Sequence, residues 1–137
     1  MRRRILSASL AALAFLAVVV GVAEPASASG TACSNWTTVA PGVVGRVCVS
    51  AAASGATTAS SSLYNGTSGW IAAESFVYVN GNTLMTWCGT GIGQGVAPGG
   101  YLNCSTAATV WTASPRYGDA TFYANNYSAT VYTPWLY

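Results

Sequence analysis

Phe76-Val77-Tyr78-Val79-Asn80-Gly81-Asn82-Thr83-Leu84-Met85-Thr86-Trp87 is two runs of β-branched and aromatic residues meeting at an Asn-Gly pair. Those residue types fill strands, and Asn-Gly accepts the two positive φ angles of a type I′ hairpin turn. With a two-residue turn at Asn80-Gly81, Val79 faces Asn82, Val77 faces Leu84 and Phe76 faces Met85. Side chains alternate along a strand, so Phe76, Tyr78, Met85 and Trp87 share one face, and Val77, Val79 and Leu84 share the other. Both faces carry apolar residues. The reading therefore puts this hairpin in the middle of its sheet, or gives one of its faces to recognition.

The same texture extends in both directions. Short apolar runs, separated by Gly, Pro and Asn, predict strands at Trp36–Ala40, Val43–Ala52, Ala56–Tyr64, Trp70–Val79, Thr83–Cys88, Ala107–Ala113, Ala120–Ala124 and Ala129–Tyr132. Turns are expected at Pro41-Gly42, Asn65-Gly66, Pro98-Gly99-Gly100 and Ser114-Pro115. Residues 51–62 are small and polar, which also suits a mobile loop. The expected fold is all-β, a small antiparallel sandwich or barrel. No linker, charge run or fixed-period repeat divides the chain, so residues 29–137 read as a single domain.

The first 28 residues read differently. Arg2, Arg3 and Arg4 precede an apolar stretch from about Leu10 to Val22, followed by Glu24-Pro25 and the small-x-small triplet Ala26-Ser27-Ala28. This is the order of a cleavable secretory signal, with cleavage expected after Ala28. The apolar run is shorter than the ~20 residues of a spanning helix, and no second one follows, so no membrane span is expected in the mature chain.

Charge then narrows the function classes. The net charge of +2 comes from the n-region arginines; beyond residue 28 only Arg46, Arg116, Glu74 and Asp119 remain, and they cancel. Nucleic acid is an unsuitable partner, because neutralising phosphates takes several cations. The four cysteines, Cys33, Cys48, Cys88 and Cys104, all follow the signal segment. An even count in an exported chain reads as a disulfide framework with three connectivities, among which Cys33–Cys48 and Cys88–Cys104 are favoured because each pair brackets a short segment. Each such bridge contributes about 3 kcal/mol by loop-closure entropy. The wide spacing, without C-x-x-C, argues against a zinc site, so metal ligands and cofactors are expected to be none.

Catalysis is constrained by inventory. The chain has no His and no Lys, which removes imidazole bases, Schiff bases, Ser-Lys dyads and P-loops. Glycoside hydrolysis survives in principle, since it needs only two carboxylates about 5 Å or about 6.5–9.5 Å apart. Glu74 and Asp119 are the pair to consider, against the plainer reading of surface or strand-end charges that pair with Arg46 and Arg116. Gly89-Thr90-Gly91-Ile92-Gly93-Gln94-Gly95 resembles a phosphate cradle only superficially, because Pro98-Gly99-Gly100 follows where a helix is required. It reads as a loop between cysteines.

The aromatic content carries the functional expectation. Five Trp and eight Tyr lie in the mature part, more than a core of this size requires. Rings beside Asn, Thr and Ser suit neutral ligands such as polysaccharides, because a ring face covers sugar C–H groups without charge. Tyr78, Trp87, Trp111, Tyr123 and Trp135 are the candidate binding residues. The tail from Tyr123 to Tyr137 reads as a packed final strand or an exposed adhesive end.

The Met1-Arg2-Arg3-Arg4 start, Ala26-Ser27-Ala28, Gly45-Arg46-Val47-Cys48-Val49 and Gly99-Gly100-Tyr101-Leu102-Asn103-Cys104 together resemble the small exported proteins of filamentous actinobacteria, Streptomyces-like in style. That resemblance implies a bacterial, secreted product and little about activity. The expected protein is a non-enzymatic domain acting by surface contacts, on neutral polysaccharide or as a cell- or spore-surface coat. A secreted inhibitor of an extracellular hydrolase, presenting Gly89–Gly100 to a protein partner, is the alternative.

Overall fold

A computed structural model describes residues 29–80, 84–91, 95–110 and 115–137. The expected signal segment, the centre of the glycine-rich loop, and Trp111 lie outside them. The described chain is all-β, with ten strands and no helix. They are β1 (Gly30–Cys33), β2 (Thr37–Ala40), β3 (Val43–Ala51), β4 (Ala56–Asn65), β5 (Ala73–Val79), β6 (Leu84–Gly89), β7 (Tyr101–Ser105), β8 (Thr109–Val110), β9 (Gly118–Ala124) and β10 (Tyr127–Tyr132). One antiparallel sheet runs β1-β3-β4-β7, with β2 also on β3 and β8 also on β4; the other runs β10-β9-β5-β6. With no helix among the described residues, none is long and apolar enough to cross a membrane.

Alternation builds the sandwich. In β3, Val43, Gly45, Val47, Val49 and Ala51 are buried, and the residues between them are not. In β5, Ala73, Ser75, Val77 and Val79 do the same from the other sheet. Valines at these positions gain roughly 1.5–3 kcal/mol each from leaving water. Phe122 of β9 is the largest apolar side chain of the core, and its ring lies directly on Gly45. A Cβ there would come within 2.7 Å of it. That contact explains a glycine in the middle of a strand. Ser61 and Ser75 share a buried 2.6 Å hydrogen bond across the sheets, so neither hydroxyl is left unsatisfied.

Both cysteine pairs are joined, Cys33 to Cys48 and Cys88 to Cys104. The two bonds have different jobs. Cys33 and Cys48 sit opposite each other in the β1–β3 register, so that bond lies within one sheet. Cys88 on β6 and buried Cys104 on β7 tie one sheet to the other through the interior.

Several expectations need correction. Val79 pairs with Leu84, Phe76 with Trp87 and Tyr78 with Met85, so the hairpin is not closed by a two-residue turn at Asn80-Gly81. Asn80 has φ 48° but is engaged elsewhere: its N–H donates to Tyr117 O (3.0 Å) and its Oδ1 accepts from Tyr117 N (2.8 Å). It thereby prolongs the β5–β9 ladder, and Gly81–Thr83 lie outside the described residues. The register moves by two, an even number, so every side chain keeps its expected face. The hairpin is also not wholly central: β5 is an inner strand, β6 an edge. The two-residue connection appears instead at Asn125-Asn126, with Ala124 paired to Tyr127.

Residues 56–65 form a central strand rather than a loop; their small side chains are inward where the sheets approach, as at Thr57, Ala59 and Ser61. β1 and β7 had no counterpart among the expected strands. Conversely, Trp70 is 71% exposed and precedes β5. Of the strand expected at Ala107–Ala113, only Thr109–Val110 pairs among the described residues.

Candidate functional site

The outward residues of the four-stranded sheet fall into cross-strand rows fixed by register. Tyr132, Asp119, Tyr78 and Met85 form one; Thr130, Thr121, Phe76 and Trp87 the next; Ser128, Tyr123, Glu74 and Gly89 the third. Phe76 stands in the middle, 5.8 Å from Tyr123 in an edge-on arrangement and 6.5 Å from Trp87. Its neighbours hold it while their own rings stay open to solvent, Trp87 being 53% and Tyr123 43% exposed. The contact with Tyr123 is edge-on and that with Trp87 tilted, arrangements that aromatic pairs prefer to a full face-to-face stack.

Trp87 is seated by the glycine two residues on. A Cβ on Gly89 would meet indole Cζ2 at 2.7 Å, so the ring lies against bare backbone along the strand. Beside it, Ala72, Ala73, Glu74, Thr90, Gly91, Tyr123 and Asn125 line an open cavity of about 270 Å³. Thr90 and Asn125 are anchored to β5 and its approach: Thr90 N–H donates to Ala73 O (3.1 Å), and Asn125 Oδ1 accepts from Ala72 N–H (3.2 Å).

At the other end of the same face, Tyr117 lies 6.4 Å from Tyr132 and 4.5 Å from Trp135. With Thr133 these three line a second depression of about 290 Å³. From Tyr123 to Tyr117 the aromatic strip covers six residues of strand, about 20 Å.

The structure thus gathers Tyr78, Trp87 and Tyr123 on one face, places Trp135 at its far corner, and leaves Trp111 outside the described residues. Sequence reading gave Gly89 and Thr90 to the loop of the inhibitor alternative instead of this face, and missed Asn125. Asn-Asn between two aromatic runs was the signal for the last of these. The tail is neither a plain final strand nor a loose end: Leu136 exchanges both backbone hydrogen bonds with Arg116, while Trp135 and Tyr137 stay exposed.

Glu74 and Asp119 share this outer face but stand four residues apart along neighbouring strands, about 14 Å. This is a backbone separation, wider than the carboxyl-to-carboxyl spacings of about 5 Å or about 6.5–9.5 Å that glycosidases use. Both stand at strand ends, second in β5 and β9, with Glu74 exposed and Asp119 buried. No three metal-ligating side chains come together among the described residues.

The outer face of the six-stranded sheet carries one ring pair, Tyr64 and Tyr101 at 4.9 Å, and is otherwise rich in hydroxyls. Its rows include Thr31, Ser50 and Thr58, then Cys33, Cys48, Ser60 and Ser105, then Arg46, Ser62 and Asn103. Thr31 and Ser50 hydroxyls bond at 2.9 Å, and Ser62 Oγ donates to Asn103 Oδ1 at 2.7 Å. The chain matches no protein-family model, no curated protein and no solved structure.

Proposed function

We propose that this chain is an exported, non-catalytic β-domain that binds polysaccharide through the outer face of its four-stranded sheet. The observation that carries this reading is the strip of solvent-facing rings centred on Phe76, with Trp87 and Tyr123 held by Gly89 and by ring contacts. Contiguous exposed apolar area on a small protein marks a contact surface. Ring faces match the C–H faces of uncharged sugars, and the flanking Thr121, Thr130, Ser128 and Asn125 offer hydroxyls and an amide for sugar oxygens.

Export belongs to the same reading. Two disulfides suit an oxidising compartment, and the Arg2–Ala28 segment has the order of a secretory signal. The non-catalytic part is supported by the absence of His and Lys and by the distance between Glu74 and Asp119.

Retention on insoluble polysaccharides tests the proposal. The secreted protein should sediment with at least one neutral polymer, with quenching of tryptophan fluorescence. Trp87→Ala and Tyr123→Ala should each weaken binding at least about tenfold, roughly 1.4 kcal/mol. No retention on any polymer, together with stoichiometric inhibition of a protease or amylase, would replace this reading with the inhibitor.

A further inference from the structure

We infer that Glu74 makes this face selective for a polysaccharide bearing free amino groups, by receiving one ammonium substituent between Trp87 and Tyr123. The inference rests on the polysaccharide reading and changes one part of it: the chain is uncharged over Phe76 but cationic at the next row.

Register sets the arrangement. Glu74 pairs with Tyr123 on one side and with Gly89 on the other, and the Trp87 indole occupies the space above Gly89. The Glu74 stem and the indole edge are neighbours, since the point where a Gly89 Cβ would stand is 3.4 Å from Glu74 Cγ and 2.7 Å from Trp87 Cζ2. Glu74 therefore lines the 270 Å³ cavity together with Tyr123, and the Trp87 indole lies just outside it, over Gly89.

Charge decides what fits. Glu74 forms no ion pair with any described residue. Of the mature chain's two cations, Arg116 is buried seven residues along from Tyr123, and Arg46 points outward from the opposite sheet. A ligand lying on Trp87 and Tyr123 must also cover Glu74. Under an uncharged sugar the carboxylate loses water and gains little, which penalises the complex. Under a sugar with an ammonium group the same burial forms a charge-assisted hydrogen bond, and the flanking rings add cation–π attraction. Attraction of a polycation to the whole protein does not confuse the issue, because the charges beyond residue 28 cancel.

Chitin and its deacetylated form, chitosan, share one backbone and differ in this group, so they separate the possibilities. Binding isotherms on both, at low and high salt, are to be measured for the secreted protein and for Glu74→Gln. The expected result is chitosan binding at least about tenfold tighter than chitin at low salt. That preference should shrink to about threefold or less in Glu74→Gln and at high salt, where exposed charges are screened. An unchanged far-UV circular dichroism spectrum and unfolding midpoint certify the fold of Glu74→Gln. Equal affinity for the two polymers overturns the inference and leaves the polysaccharide reading standing. A chitosan preference that survives Glu74→Gln also overturns it. Failure to bind either these or any other polysaccharide removes both.

Discussion

On the six-stranded sheet the outward face holds one ring pair, Tyr64 with Tyr101, and elsewhere its hydroxyls and amides bond one another, Thr31 with Ser50 and Ser62 with Asn103. On the four-stranded sheet half-buried Phe76 meets Tyr123 edge-on and Trp87 at a tilt, and the two outer rings stay exposed to water. The inner faces of the two sheets are built alike, from alternating Val, Ala and Ser. Folding therefore constrains one side of each sheet, and the other side is free to differ. Hydroxyls exchange neighbours for water at little cost, whereas an uncovered ring face gains from any apolar surface laid on it. The contrast between the outer rows, more than anything in the core, distinguishes the face assigned to binding.

The largest expected effect strikes what both faces share. Phe122→Ala should destabilise the protein by about 3–5 kcal/mol in urea unfolding, because the ring fills the space over Gly45. A loss under about 1 kcal/mol would mean the sheets do not depend on this contact. The disulfides come next. Loop lengths of 15 and 16 residues give the two bonds equal entropic worth, about 3 kcal/mol each. Replacing Cys88 and Cys104 together by Ala should nonetheless cost more than replacing Cys33 and Cys48, because Cys104 is buried and its truncation leaves a void. Equal midpoint shifts would reduce both bonds to chain entropy.

Two smaller effects address the faces directly. Trp87→Ser with Tyr123→Thr rewrites the aromatic face in the language of the other sheet. It should lower polysaccharide affinity by more than tenfold while moving stability by less than about 1 kcal/mol. Ser62→Ala and Asn103→Ala, on the opposite face, should leave affinity within about twofold; an equal loss there would erase the distinction. Gly89→Ala should lift the Trp87 indole and weaken binding by a few-fold, with a shifted tryptophan emission and an unchanged fold by far-UV circular dichroism.

Much of this fold was legible because alternation is legible. β3 reads Val43-Val44-Gly45-Arg46-Val47-Cys48-Val49, and the shared face of Phe76, Tyr78, Met85 and Trp87 follows from period two in any register that differs by an even number. The register itself was not legible, since Asn80 is held by Tyr117, a partner 37 residues away. β4 was ambiguous for a related reason: its inward Ser61 resembles a loop residue until Ser75 of the other sheet satisfies it. At the site, Tyr78, Trp87 and Tyr123 were found from ring content alone. The part that Gly89, Thr90 and Asn125 play there was not, because it depends on strands that meet only in the folded chain.

The bond between Cys88 and Cys104 has a mechanical side. Trp87 stands on β6, an outer strand whose one neighbour in its sheet among the described residues is β5. A polymer dragged along the face would tug at that strand and peel it from β5 one hydrogen bond at a time. The next residue, Cys88, passes the tension covalently to β7 in the opposite layer. Reduction would loosen Trp87 first and spare Tyr123, which sits on an inner strand with a neighbour on either side.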